Sequence, residues 1–290
     1  MLTKKKVIYI SINDIKTLGK NQFHNFFKKS IFEGQIIIIR ANPHILRICK
    51  WIRADMDANL SKDILRDNVK KIKKDFYNFN ELKIYQKKIK NDFQLKNNFT
   101  YFLKSLGFFI NETFLDEICL RVTSPEKTNN PGILPKAGAH RDTWGSNLKE
   151  QINWWFPIKN IKNSNSIYFV PVYYDKFISN TSAVWDYSKY KKNPKKFSST
   201  PVINDTKLIE NKKFTIKPKM GDIVCFSGHH LHGSGCGEFF RINIETRSIS
   251  LKDNKNFKVP ETFDYSQKIL KKVKWFKNIQ TDRCLSFFYR

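Results

Sequence analysis

The sequence has no apolar run approaching the roughly 20 residues that a membrane-spanning helix needs. Its longest purely aliphatic run is the four isoleucines Ile36–Ile39, which suits a buried strand, so no membrane span is expected. The opening "MLTKKKVIYISINDIK" is basic, with no sustained apolar segment behind it, and no secretory leader is expected. Five cysteines (Cys49, Cys119, Cys225, Cys236, Cys284) are scattered with no C-x-x-C pair, which argues against a disulfide framework or a thiolate zinc site. Reduced thiols and a cytoplasmic location are the simplest expectation. There is no internal repeat and no Gly/Ser- or Pro-rich linker, so one domain over 1–290 is expected. Acidic residues are scarce: 26 Asp and Glu stand against 53 Lys and Arg, for a net charge of +27.

Such a charge favours phosphates, nucleic acid, acidic substrates or anionic surfaces. The chain is, however, rich in Lys, Asn, Ile and Phe, all with A- or T-rich codons, so base composition alone would also give the bias, and the charge by itself assigns no partner. Lysine also far exceeds arginine, whereas sites that read nucleic acid use the arginine fork. A nucleic-acid partner is therefore disfavoured, and an anionic substrate is compatible with the surface. Hydrophobic residues make up 40% and aromatics 14% of the chain, enough for a substantial core. The sequence leaves the oligomeric state open.

Apolar spacing predicts an amphipathic helix over 16–33, a strand at "GQIIIIR", a helix at "HILRICKWIRADMDANL", and further lysine-rich helices over 61–92. From Asp116 the pattern changes. "EICLRVTS", "QINWWFPI", "NSIYFVPVYY", "KFTIKP", "GDIVCFSG" and "FFRINIETRSIS" are short β-rich runs separated by turn residues, as in an antiparallel sandwich or barrel. The segment "SQKILKKVKWFKNI" reads as a basic helix. The expected architecture is mainly β with flanking helices: a helical N-terminal buttress over 1–115, a β core over 116–250 and a helical tail over 251–290.

Two segments carry chemistry. In "AGAHRDTWGS", His140 and Asp142 share a strand face and can aim a nitrogen and a carboxylate oxygen at one point, with Arg141 turned away. On the same parity, Trp144 joins them as a substrate-contact candidate if the strand continues. In "GDIVCFSGHHLHGSGCGEFFRINIETR", His230 and His232 share a face while His229 points the other way, so parity allows either as a third ligand. Two histidines and one carboxylate make the facial triad of non-haem Fe(II) oxygenases, which leaves three coordination positions open. These positions suit two oxygens of 2-oxoglutarate and O2. The distal carboxylate of 2-oxoglutarate needs a cation, and Arg241, at the start of the next β run, has the planar fork for it. Gln151 and Asn153 can present amides inside the barrel, Asn153 as a contact to the cosubstrate and Gln151 as a contact to the substrate. Arg121 and Thr123 are further pocket candidates, and the polar-aromatic loop 178–190 is a candidate substrate lid. His24 and His44 have no partner pattern.

On these residues the chain resembles the Fe(II)/2-oxoglutarate-dependent oxygenase superfamily, and within it the phytanoyl-CoA dioxygenase group, which includes ectoine hydroxylase. The resemblance covers about residues 116–250. It implies a double-stranded β-helix, or jelly roll, with His140, Asp142 and His232 as catalytic iron ligands. Arg241 is the implied 2-oxoglutarate anchor, and Ser234 in "HGS" the hydroxyl that assists it; Asn243 stands where Ser often follows the arginine. The implied reaction hydroxylates a small molecule with release of succinate and CO2. Halogenating relatives carry Gly or Ala in place of Asp142, so the carboxylate implies oxygenation. The "RINIETR" run is also similar to the R-x-N-x-x-x-R pattern of AlkB-type nucleic-acid dealkylases, with Arg247 as second arginine. A non-redox cupin-like metal protein would use the same barrel, but needs no arginine aimed at a dicarboxylate.

Overall fold

A computed structural model describes residues 7–60, 79–124, 131–161, 165–193, 196–235, 237, 240–261, 264 and 275–285. The chain begins with β1 (Val7–Ile10), α1 (Ile12–Leu18), α2 (Lys20–Phe32), β2 (Ile36–Ile39), α3 (Pro43–Asn59), α4 (Phe79–Lys90) and α5 (Phe93–Ser105). It continues with β3 (Thr113–Leu115), β4 (Cys119–Thr123), β5 (Ile133–Leu134), α6 (Thr143–Ser146), β6 (Ile152–Pro157), β7 (Ile167–Phe169) and α7 (Tyr187–Lys192). The remainder is β8 (Phe214–Thr215), β9 (Ile223–Ser227), β10 (His232–Ser234), β11 (Arg241–Ser250), α8 (Asp253–Asn256) and β12 (Lys277–Asn278).

The strands form a large mixed sheet in the order β1-β2-β9-β6-β11-β3-β12, with β4 also paired to β11 and β5 paired to β4. A smaller sheet has the order β10-β7-β8. The period-2 rule explains the two-sided core. Ile37 and Ile39 point into a layer against the N-terminal helices, whereas Ile36 and Ile38 meet Trp155, Val224, Phe226 and, from the small sheet, Ile167 and Phe169. Adjacent tryptophans divide in the same way. Trp154 stacks on Phe27 at 5.4 Å in the helical layer, with Phe99, Phe102 and Phe108 edge-on around it. Trp155 faces the space between the sheets.

The helix expected over 16–33 is two helices. Gly19, at φ 73°, interrupts them, and Ser11 and Asp14 form a capping box that starts the first one earlier. The 61–92 helices are described from Phe79 onward; 61–78 lie outside the described residues. The N-terminal segment is not only a buttress, because β2 pairs with β9 inside the large sheet. Of the expected C-terminal helix, 265–274 lie outside the described residues, while Lys277–Asn278 form a strand against β3. Cys49, Cys119, Cys225 and Cys284 are free thiols. Among the described residues no helix is long and apolar enough to cross a membrane.

Candidate functional site

His140, Asp142 and His232 converge, each offering one ligand atom, with all three atoms within 4.8 Å of one another. The route differs from an extended H-x-D strand. His140 forms a single antiparallel bridge with His232, but Asp142 has helical backbone, φ −64° and ψ −30°, at the residue before α6, with no capping hydrogen bond from its side chain. The carboxylate reaches the histidines because the chain turns at Arg141, and the arginine is directed into the core. His140 Nε2 lies 3.7 Å from Asp142 Oδ1, and His232 Nε2 lies 3.8 Å from Oδ2.

Both histidines have their ring orientation set by backbone. His140 Nδ1 donates to the Gly138 carbonyl at 2.8 Å, and His232 Nδ1 donates to the His230 carbonyl at 3.0 Å. Each Nε2 then carries the lone pair, the tautomer a metal ligand requires. Burial, reinforced by the neighbouring His232, depresses the His140 pKa to about 4. Burial alone would raise the Asp142 pKa, but Arg247, both histidines and the Asn153 amide together lower it to about 2. At neutral pH the set therefore includes a neutral His140 and an ionised Asp142, suited to a borderline divalent metal.

Arg241 sits apart from the triad, between the sheets. Its Nη2 donates to Ser234 Oγ at 3.1 Å and Thr123 Oγ1 at 3.3 Å. Nε donates to Asn243 Oδ1 at 3.1 Å, and Nη1 to the Asn165 and Ser166 carbonyls at 3.2 and 3.5 Å. The side chain is buried, and burial lowers its pKa to about 10. Every one of these partners is neutral, and among the described residues Arg241 makes no ion pair. Asn243 Nδ2 and Ser166 Oγ, on two of the residues that touch it, are buried with no hydrogen-bond partner. A buried cation beside unmatched donors is an arrangement that accepts an anion.

Strand register links this pocket to the triad. Arg241, Asn243, Glu245 and Arg247 alternate along one face of β11, and Arg247 lies opposite Asn153 on β6. Asn153 Nδ2 donates to Asp142 Oδ2, so this amide orients the carboxylate; sequence reading expects it on the cosubstrate. Gln151 Nε2 donates to Asn153 Oδ1 at 2.7 Å, behind it. Arg121 pairs with Glu245 on the same face.

Trp144 is a correction. The extended segment stops at His140, and Trp144 is fully buried in α6, with its indole N–H donating to Asp264 Oδ1 at 2.8 Å. It belongs to the core. His230 is also excluded from the triad, since its ring nitrogens bond the Ser227 and Gly34 carbonyls at 3.1 Å each. The loop over 178–190 is tied down through Asn180, which donates to the Asp264 carbonyl at 2.7 Å. Asp264 follows no motif and is invisible in the sequence. Yet its carboxylate accepts Arg141 Nε at 2.9 Å, between the two ligands of the H-x-D segment.

No family model matches the chain, and no curated protein matches it. Among solved structures it is similar to EvdO2 from Micromonospora carbonacea var. aurantiaca, at 10% identity over 80% of this chain and 91% of that one, with a TM-score of 0.48. EvdO2 has also been solved complexed with 2-oxoglutarate. EctD from S. alaskensis, in its apoform, shares 11% identity over 86% of this chain and 82% of that one, at a TM-score of 0.40. SnoN, a non-heme alpha ketoglutarate dependent epimerase from nogalamycin biosynthesis, shares 11% identity over 53% and 54%, at 0.32.

Proposed function

We propose that the chain is an Fe(II)- and 2-oxoglutarate-dependent dioxygenase that hydroxylates a small molecule, built as one domain around a double-stranded β-helix. The observation that carries this reading is the pairing of two features. A two-histidine, one-carboxylate triad lies at one place, and a buried guanidinium with only neutral partners lies at another. A dicarboxylate keto acid has the matching chemistry, with a chelating end for a metal and a distal carboxylate for an arginine fork.

His140, Asp142 and His232 would hold Fe(II), leaving three coordination positions for 2-oxoglutarate and O2. When bound, the iron supplies the O2 activation that couples oxidation of a C–H bond to conversion of 2-oxoglutarate into succinate and CO2. Arg241, aided by Ser234 and Thr123, would bind the distal carboxylate. Asn243 would add its amide donor to that carboxylate, Asn153 keeps the Asp142 carboxylate aligned, and Gln151 supports Asn153. Asp142 would take the coordination position that a halide ligand needs, which favours oxygenation over halogenation.

The test is anaerobic addition of Fe(II) and 2-oxoglutarate, followed by O2 and a metabolite pool, with succinate read out. Under labelled O2 with chloride present, one labelled oxygen should enter the product. A chlorinated product, or turnover without 2-oxoglutarate consumption, rejects the mechanism. Succinate release that responds to methylated oligonucleotides and to no metabolite would instead favour a dealkylase.

A further inference from the structure

The three members of the triad are not equally enclosed. The side chains of His140 and His232 are 9% and 10% exposed, whereas that of Asp142 is 17% exposed. The triad thus opens on its carboxylate side, and what borders Asp142 borders the approach to the site. Asp142 has helical backbone, and its carbonyl accepts the Gly145 N–H at 3.0 Å. Residues three apart share one face of a helical turn, so Gly145 lies on the face of Asp142. Having no side chain, Gly145 lets its neighbours come close. A Cβ there would stand 3.7 Å from Trp185 Cη2 and 3.7 Å from Pro201 Cδ.

Trp185 begins a row of rings laid along α6. Its centroid lies 6.1 Å from that of Tyr187, which in turn lies 6.2 Å from Tyr190 and 5.1 Å from Trp275. Trp275 packs against the cluster that contains Leu148, just beyond the end of α6. The ring planes meet at 35° to 63°, and such tilted contacts at this spacing are favourable between aromatic rings. All four side chains are half-buried, so each keeps part of its surface open.

The row is fixed by the chain around it. Trp185 Nε1 donates to the Ser198 carbonyl at 3.0 Å, and the Trp185 N–H donates to the Thr181 carbonyl at 3.0 Å. Thr181 is held to Val202 in both directions, N–H to carbonyl at 2.9 Å and Oγ1 from the Val202 N–H at 2.9 Å. Asn180 adds its bond to the Asp264 carbonyl. A segment anchored at this many points makes a preformed surface rather than a closing lid.

We propose that Trp185 and Tyr187 form a fixed wall beside the open side of the triad, and that this wall binds an aromatic ring of the substrate. The proposal deepens the oxygenase reading and rests on it. A flat ring extends the row by one more member at the spacing already present. A saturated ring of the same size buries similar area but lacks the π contact, so the wall discriminates by ring type.

The test uses protein saturated with 2-oxoglutarate and loaded with Mn(II), with a Zn(II)-loaded sample beside it. Para-fluorobenzyl alcohol and its cyclohexyl counterpart are titrated and followed by fluorine NMR. The benzyl alcohol should bind at least threefold more tightly. Its fluorine line should broaden more with Mn(II) than with Zn(II), because the paramagnetic ion relaxes only a nucleus bound near it. W185L and Y187L should each weaken it at least threefold, while W185F and Y187F, which keep a ring, should stay within twofold of the unaltered protein. Mn(II) and 2-oxoglutarate titrations should shift less than twofold in all four variants. Equal affinity for the two alcohols, no binding, no extra broadening with Mn(II), or unaltered affinity in both leucine variants overturns the proposal. Equal weakening by leucine and phenylalanine overturns it too, since the residues then serve only the packing of the loop. If W185L does not fold, the two Tyr187 variants carry the same comparison. Failure to take up Mn(II) or 2-oxoglutarate sinks the oxygenase reading instead. Benzyl alcohol binding to the metal-free protein that still requires Trp185 and Tyr187 would then support the wall by itself.

Discussion

His140 and His232 are bonded to each other through their backbones in both directions, N–H to carbonyl at 2.9 Å one way and 3.0 Å the other. Their rings lie 4.4 Å apart between centroids. Two candidate ligands thus share one antiparallel bridge made by main chain alone. Truncating either side chain removes a ligand and leaves the bridge. His140→Ala and His232→Ala should therefore fold and melt near the wild-type temperature, yet lose stoichiometric metal in equilibrium dialysis. His230→Ala should do the reverse. Its ring bonds two backbone carbonyls, so its loss should cost about 1–3 kcal/mol of stability with metal stoichiometry intact. Normal metal binding by His232→Ala with loss in His230→Ala would show that the wrong histidine has been assigned.

The triad was legible because its three members keep their residue types, although the secondary structure inferred for Asp142 was not the observed one. Spacing i to i+2 is met equally by a strand and by a strand that turns into a helix, and only the backbone angles separate them. Trp144 shows the cost of that ambiguity: parity counted from His140 fails as soon as the chain coils. Ile36–Ile39 was readable as a strand from its continuous aliphatic run, and "INWWF" from its alternation of amide and apolar residues. Their partners were not, so the place of β2 in the large sheet escaped a reading based on local pattern. Asp264 was illegible for a different reason. One aspartate in a polar stretch has no spacing to betray it, and its importance lies wholly in what folds against it.

Arg241 offers a graded test of cosubstrate binding. Arg241→Ala should weaken 2-oxoglutarate by on the order of 2–5 kcal/mol, and Arg241→Lys by less, because charge survives but the fork does not. Metal affinity should stay within a few fold in both, as Arg241 makes no hydrogen bond to the triad. Isothermal titration with Ni(II) and then 2-oxoglutarate separates the two effects. A larger effect from Arg247→Ala would move the anchor to Arg247.

Lys28 and Asp253 form an ion pair at 2.5 Å with side chains only 1% and 3% exposed, joining α2 to α8. Removing one partner strands a buried charge, whereas replacing both with apolar groups does not. Lys28→Met should lose about 3–5 kcal/mol in urea unfolding, and Lys28→Met with Asp253→Leu should recover much of that loss. A double variant as weak as the single one would refute this account.

Acid should weaken the fold well above the usual carboxylate range. Burial lowers the pKa of His24, His140 and His230 to about 4 and of His229 to about 3. The unfolded chain takes up these protons first, near 6.5, so stability is fully present above that pH and declines as pH falls toward 4. Asp116, Glu150 and Asp253, whose pKa values burial raises, act in the opposite sense, but four histidines act in this window together. The melting temperature of metal-free protein should fall between pH 7 and 5. His24→Asn, which removes a ring packed against Phe108 and Phe109, should flatten the slope. A flat profile in the wild type would contradict the assignment.

Asp264 ties the metal segment to the rest of the molecule. One carboxylate oxygen accepts from Arg141 at 2.9 Å and the other from Trp144 at 2.8 Å, so it grips the chain on both sides of Asp142. Its carbonyl holds Asn180 of the loop, and Arg141 carries the grip onward to the His229 carbonyl at 2.6 Å, three residues before His232. Asp264→Ala would leave the Arg141 charge buried without its counter-ion, at a cost of about 3–5 kcal/mol. Asp264→Asn keeps an acceptor for Trp144 while removing the charge, and should cost less. If the grip also sets the angle of Asp142, both variants should bind metal about tenfold more weakly, within the range seen when groups supporting metal ligands are lost. The absorption spectrum of the Co(II)-loaded protein should shift as well, which a change in stability alone does not produce. A folded Asp264→Asn protein with wild-type metal affinity and an unchanged Co(II) spectrum would reduce Asp264 to a structural tie.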